Sequence, residues 1–314
     1  MKPVAPVTRT FAKPPQTSHR VGCAARMSRV AVVTDSTSYL PRALLERHDI
    51  HIVPLYVVFG DRPVPEVEID DFEAFFEELR GAERLPTTSQ PSVGDFRAAY
   101  EPLLADGREI VSIHISGGLS GTPEAARQAK QALERDGKGG ERIEVVDSRT
   151  AAGGLGFMVL AAAKAAADGR NLQEVVEWAA EARAELKLWF AIDTLEFLRR
   201  GGRIGAASAW IGSTLKVKPI LTVENEMTPV ERVRTATRAF ERLVDYARQR
   251  HESGADAWSA QHIHAPDQCA ALIERCREVF DHEPTIVSEL GPVLAVHTGP
   301  GLLGVGGLPR RFVE

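Results

Sequence analysis

One pattern constrains this chain more than any other: an apolar, β-rich run that ends in small hydroxyl-bearing or acidic residues and leads into a helix. It occurs in RVAVVTDSTS from Arg29, in IVSIHISGGLSGT from Ile110 to Thr122, and in ERIEVVDS from Glu141. Strand–helix alternation of this kind predicts a mainly parallel sheet covered by helices on both faces. Parallel strands place all their C-terminal ends at one edge, where ligands of open α/β sheets bind. Thr34 to Ser38, Ser116 to Thr122 and Asp147-Ser148 are therefore expected to converge. The loop PTTSQPS, with Thr87, Thr88, Ser89 and Ser92, leads into a helix at the same edge and can join them. Pro123 suits a first helical turn. A helix from there to about Leu133 would set Ser120 to Thr122 at its N-terminus, where free N–H groups and hydroxyls favour an anionic oxygen. A capped strand-to-helix turn explains one hydroxyl in this run. It accounts less well for three hydroxyls and three glycines in seven residues.

The second half continues the α/β pattern differently. KLWFAID reads as a strand, and Thr194 caps LEFLRR, which Gly201-Gly202 end. Ile204 to Thr214 reads as a short helix. VKPILTV and Met227 to Arg234 read as strands paired across Glu224-Asn225-Glu226. Thr237 to His251 and Pro266 to Phe280 read as helices, AWSAQHIHA and TIVSEL as strands, and PVLAVH as the last long strand, ended by His297. AAGGLGFMVLAAAKAAA is apolar on every face, which predicts a buried helix. The expected architecture is two α/β domains, 29–175 and 176–314, with a ligand between them. Residues 1–28 carry five basic residues, no acid and four prolines, and no signal-like apolar core. They read as a disordered basic leader able to touch lipid head groups, or as a start set upstream of Met27.

Composition excludes several classes. A formal charge of −5 and a pI near 6.0 argue against a nucleic-acid protein, and 6% aromatic residues leave little for base stacking. Three cysteines without zinc spacing fit a reducing cytoplasm. No apolar run reaches the length of a membrane span. Gly299-Pro300-Gly301-Leu302-Leu303-Gly304 matches GxGxxG, but the chain ends before a βαβ unit could follow, so a tight turn is expected. No P-loop is present, and Ser120 is not in a GxSxG elbow. His262 and His264 would share one strand face, yet they lack a third ligand of matching spacing, so no metal is expected. No cofactor is expected either. His297 is a candidate ligand contact. Arg199, Arg200 and Arg203 flank Gly201-Gly202 either as a dipole-complementing helix end or as a docking patch for an acidic partner.

Several of these stretches occur in the order found in the DegV family: VTDSTSYLP, PTTSQPS, ISGGLSGT, VVDSRTAAGGLG, LEFLRRGGRIG, LKVKPIL, VRT and GPVLAVHTGPG. From Arg29 onward the chain resembles that family. The resemblance implies a fold like the substrate-binding part of dihydroxyacetone kinases, with a long-chain fatty acid bound between two α/β domains. It further implies a non-enzymatic, cytoplasmic binding subunit of bacterial fatty acid kinase in phospholipid metabolism. Such a subunit presents the carboxylate to a separate ATP-binding subunit. Carried over, the carboxylate-binding hydroxyls fall on Thr88 and Ser120, with Ser116, Ser89 and His297 beside them. Many members have a second serine where this chain has Gly117, which thins the expected hydroxyl network. The alternative is an enzyme in its own right, a serine hydrolase using Ser120 or a kinase for a small polyol. The absence of a nucleotide loop and of a triad favours the binding protein.

Overall fold

A computed structural model describes residues 29–81, 85–211 and 217–314. The leader expected over residues 1–28, and the end of the short helix expected to reach Thr214, lie outside the described residues. The chain begins β1 (Val30–Asp35), α1 (Arg42–Arg47), β2 (Ile50–Val53), β3 (Tyr56–Phe59), β4 (Arg62–Pro65), α2 (Phe72–Gly81), β5 (Thr87–Ser89) and α3 (Val93–Ala105). It continues β6 (Glu109–His114), α4 (Thr122–Arg135), β7 (Ile143–Asp147), α5 (Gly153–Ala167) and α6 (Leu172–Glu185). The remainder is β8 (Lys187–Ala191), α7 (Glu196–Arg200), β9 (Lys218–Glu224), β10 (Glu226–Val233), α8 (Ala236–Glu252), β11 (Ala257–His262), α9 (Pro266–Phe280), β12 (Ile286–Glu289), α10 (Pro292–Thr298) and β13 (Leu303–Leu308).

The first sheet is wholly parallel, in the order β2-β1-β6-β7. The chain winds outward one way from β1 to β2 and the other way from β6 to β7. The switch point thus lies between β1 and β6, the place where an open sheet leaves a crevice. A mixed sheet, β10-β9-β8-β13-β11-β12, organises the second half. A small antiparallel sheet, β4-β3-β5, stands apart from both. The expected two α/β domains are therefore present, each with its own sheet. Polar residues set several helix starts. Ser92 and Asp95 form a capping box at α3, Asn171 and Glu174 form one at α6, and Thr235 accepts from the Arg238 amide at α8.

Helix α5 explains its own composition. It touches β1 and β6 of the parallel sheet and β8, β11 and β13 of the mixed sheet. A helix between two sheets has no solvent face, so its residues from Gly153 to Ala163 are all buried.

Four sequence expectations are corrected. PVLAVH is not a strand: Pro292 opens the helix α10, and a continuous apolar run cannot by periodicity be told from a buried helix segment. The last strand is instead the glycine-rich LGVGGL, a composition that reads as loop. Strand β11 ends at His262, and His264 follows in a left-handed conformation (φ 49°), so the two histidines do not share a strand face. The TTS of the hydroxyl loop is the strand β5, which pairs with β3 on the side opposite β4.

Candidate functional site

The expected convergence at the parallel sheet's C-terminal edge is present. Asp35, at the end of β1, accepts the Ile115 amide at 2.9 Å and takes the Thr37 amide at 3.0 Å. Asp147, at the end of β7, accepts the Gly117 amide at 3.1 Å. These carboxylates hold the SGGLSGT loop from both neighbouring strands.

Most amides of that loop are not free. Gly118 and Thr122 donate to the hydroxyls of Ser116 and Ser120, and Leu119 and Ser120 donate to the Ser116 carbonyl. Helix α4 starts at Thr122 rather than Pro123, without a side-chain cap. The anion-binding potential expected of its N-terminal amides is thus spent inside the protein. Hydroxyls and charged side chains are what the loop offers a ligand.

A cavity of about 390 Å³ opens beside this loop. Thr88, Ser89, Gln90, Ile115, Leu119 and Ser120 line it from the first half of the chain, and Arg203, Met227, Leu294, His297 and Thr298 from the second. Thr88 on β5 and His297 on α10 meet across it: Thr88 Oγ1 lies 2.7 Å from His297 Nε2. Burial first, and then the neighbouring Arg203 charge, lower the His297 pKa to about 4, so the ring is neutral near pH 7. Its Nδ1 is buried without a hydrogen-bond partner among the described residues. A β-carbon at Gly201 would overlap that nitrogen, so only glycine lets helix α7 approach the ring this closely. Gly121 likewise leaves room for the Gln90 side chain.

The predicted residues separate into three groups. Thr88, Ser89, Ser120 and His297 all line the cavity. Ser116 does not: it is fully buried, and its hydroxyl donates to the Asn225 carbonyl at the tip of the β9–β10 hairpin. The arginines divide as well. Arg199 pairs with Glu196 at 2.6 Å on the surface. Arg200 is exposed and lines a second cavity of about 450 Å³ that shares Thr88 and His297 with the first. Arg203 faces both cavities, with its guanidinium bonded to the carbonyls of Leu119 and Gly201. Arginine at a helix C-terminus is usually a dipole partner, so its place on a cavity wall had no sequence signal. Met227 and Leu294 were legible only as core residues.

Beneath the mouth lies an apolar crevice of about 30 Å³, walled by Ala151, Ala152, Leu188, Phe190, Val223 and Leu302. Met227, Leu294 and Thr298 line both spaces. The polar group beside the crevice, Gln261, is satisfied elsewhere, accepting the Gly153 amide and donating to Ser288 at 2.6 Å. Polar mouth and greasy interior are therefore adjacent, with Met227, Leu294 and Thr298 between them.

A serine–histidine–aspartate chain does exist, but not at the cavity. Ser112 Oγ lies 2.7 Å from His114 Nε2, and His114 Nδ1 lies 3.1 Å from Asp35. All three are 0% exposed, and the Ser112 hydroxyl is shared with Tyr100 at 2.7 Å. It is an internal network without substrate access. Among the described residues no group of three or more histidine, cysteine or acidic side chains could hold a metal, and no helix is long and apolar enough to cross a membrane.

Comparison with known proteins places the chain in a family. The family model of DegV, described as an uncharacterised protein family, matches residues 29–310. A DegV domain-containing protein of Streptomyces coelicolor is 43% identical over 286 residues, covering 89% of this chain and 98% of that protein. Among solved structures, a DegV family protein from Thermus thermophilus, reported for its fatty acid binding, is 36% identical with a TM-score of 0.79, covering 90% of this chain and all (100%) of that one. DegV of Bacillus subtilis, a fatty acid binding protein, is 34% identical with a TM-score of 0.78 over 90% of this chain and 100% of its own. With a family match over nearly its whole length, relatives above a third identical and solved structures of the same fold, this chain belongs to the DegV family.

Proposed function

We propose that this protein binds a long-chain fatty acid, with the carboxylate at Thr88 and Ser120 and the acyl chain passing Met227 into the apolar crevice. The observation that carries this reading is the cavity itself, with hydroxyls, a neutral histidine and Arg203 at its mouth and a mainly apolar crevice behind. If His297 donates from Nε2 to Thr88, the Thr88 hydroxyl is left to donate to the carboxylate. Ser89 supplies a further hydroxyl at the rim, and Arg203 the compensating charge. At about 0.8 kcal/mol per buried methylene, a sixteen-carbon chain offers on the order of 10 kcal/mol before ordering costs. The chain would dominate affinity, and the hydroxyls would set orientation.

The finer reading is that the bound acid is presented to a separate ATP-binding kinase subunit for acyl-phosphate formation. The second cavity supports it, since that space is also lined by His297 and Thr88 and carries Arg200 and Arg203, side chains suited to phosphate oxygens. Arg199, Arg200 and Arg203 would form part of the docking face. Binding is favoured over hydrolysis because the Ser120 hydroxyl bonds Thr122 at 2.8 Å, while the cavity's histidine bonds Thr88. Nucleophile and base are not paired.

The test is affinity for a fatty acid and for the alcohol of equal length. Thr88→Ala or Ser120→Ala should each weaken acid binding about ten- to hundredfold, the value of a hydrogen bond to a charged group. The alcohol should bind wild type less well than the acid, and the gap should shrink in Ser120→Ala. Equal wild-type affinity for both would leave a greasy cavity and no carboxylate site.

A further inference from the structure

The row Tyr100, Ser112, His114 and Asp35 is wholly buried and has no part in the reading above. Apolar side chains of the same shape would fill that space at little cost in stability, so packing alone does not account for it. Its hydrogen bonds run one way. A carboxylate only accepts, so the proton on this side of the imidazole belongs to His114 Nδ1, 3.1 Å from Asp35 Oδ2. Nε2 then accepts from Ser112 at 2.7 Å, and Ser112 accepts from Tyr100 at 2.7 Å. Phe96 packs edge-to-face with the imidazole, ring centroids 5.0 Å apart. The whole row aims one group, the Asp35 carboxylate.

Two walls of the cavity start from that carboxylate. Oδ2 accepts the amide of Ile115, the first residue after β6, at 2.9 Å. The next carbonyl, that of Ser116, holds the amides of Leu119 and Ser120, each at 3.0 Å. Ile115, Leu119 and Ser120 all line the cavity. Oδ1 accepts the Thr37 amide at 3.0 Å and the Thr37 hydroxyl at 2.5 Å. The neighbouring Ser36 donates to Glu66 at 2.6 Å, and Glu66 accepts the Val293 amide near the start of α10 at 2.8 Å. Helix α10 carries His297.

We propose that His114 is a positioning residue for the carboxylate site, aiming Asp35 so that Ser120 on one wall and His297 on the other stand at a fixed spacing. The inference rests on the fatty-acid reading above. Each Asp35 oxygen takes two donors, which fills its lone pairs and leaves the group one orientation. Without the imidazole N–H, Oδ2 keeps only the Ile115 amide. The carboxylate is then free to rotate, and the two walls shift independently. Neither His114 nor Asp35 lines the cavity, so their effect on the head group runs through geometry.

Calorimetric binding of hexadecanoic acid, hexadecanol and tetradecanoic acid to lipid-stripped protein tests this. His114→Leu should cut the acid-to-alcohol affinity ratio about tenfold, the value of a hydrogen bond to a charged group. The gain from the shorter to the longer acid should stay at its wild-type value, because the acyl chain does not depend on Asp35. His114→Asn, whose amide N–H can stand in for Nδ1, should bring the ratio back to within about threefold of wild type. Ser112→Ala removes only the donor to Nε2 and should lower the ratio about threefold; it reads the same row should the leucine variant fail to fold. Acid and alcohol weakened by one common factor, an asparagine variant no better than leucine, or an unchanged ratio in the variants that fold would overturn the proposal. Wild type with no preference for acid over alcohol would instead overturn the carboxylate reading, and the inference would fall with it.

Discussion

At the scale of single residues, His297 carries the most information. It is 9% exposed, its neutral form is stabilised by burial and then by Arg203, and Thr88 binds one of its nitrogens. The folded protein therefore holds this ring unprotonated between its ordinary value of 6.5 and about 4, whereas the unfolded chain protonates it. Its effect on stability is absent above the unfolded value and becomes a penalty as pH falls toward the folded one. By linkage the penalty reaches at most about 3 kcal/mol. Denaturant unfolding at pH 7 and pH 4.5 should show a smaller decline in His297→Gln than in wild type. Identical declines would mean that the ring is protonated in the folded protein. The histidine was legible in the sequence as a ligand contact, but its setting was not. The run PVLAVH reads equally as strand or helix, and only Pro292 hinted at the helix.

At the scale of elements, α10 is the part that matters. It brings Val293, Leu294, His297 and Thr298 to the cavity, and it is fixed from the other half of the chain by Glu66. That carboxylate is 5% exposed and accepts from Ser36 and Tyr39, each at 2.6 Å, as well as from the Val293 amide. Burial pushes its pKa up, and the three donors oppose the shift. Glu66→Ala strands three donors in a dry site. It should cost about 3 kcal/mol of stability, with fatty-acid affinity falling as α10 loosens. Unchanged melting together with unchanged affinity would show that α10 is held by packing alone. Nothing local marks Glu66 as this anchor, because an acid after Pro65 reads as an ordinary first-turn residue. Its partners lie about thirty and over two hundred positions away.

At the scale of the whole molecule, the cavity belongs to neither half. Thr88, Gln90 and Ser120 come from one side and Arg203, Met227 and His297 from the other. The halves are joined beside it: Arg183 reaches the Ser148 carbonyl and the Glu224 carboxylate, and Asn225 bonds both Arg149 and Ser116. Helix α5 lies between the sheets. A ligand gripped by both halves should stabilise both together. A fatty acid at one hundred times its dissociation constant should add about 2.7 kcal/mol to unfolding, in one transition seen alike by fluorescence and circular dichroism. Two transitions, only one of them shifted by the acid, would place the ligand in one half alone.

The sequence by itself determined the parallel sheet, its crowded edge and the hydroxyls Thr88, Ser89 and Ser120. These follow from local rules: apolar runs form strands, small polar residues and glycines end them, and parallel strands share one C-terminal edge. It also determined that α5 is buried, since a helix without a polar face has nowhere else to go. Tertiary structure decided what those local rules leave open. It turned Ser116 away from the cavity toward Asn225, consumed most of the loop amides in internal hydrogen bonds, and placed Arg203 on the cavity wall. It set Met227 where mouth meets crevice, a position shared by residues from distant segments. The physical reason is range: periodicity and capping act over a few residues, whereas the direction of a hydroxyl or an arginine is settled by partners a hundred residues away.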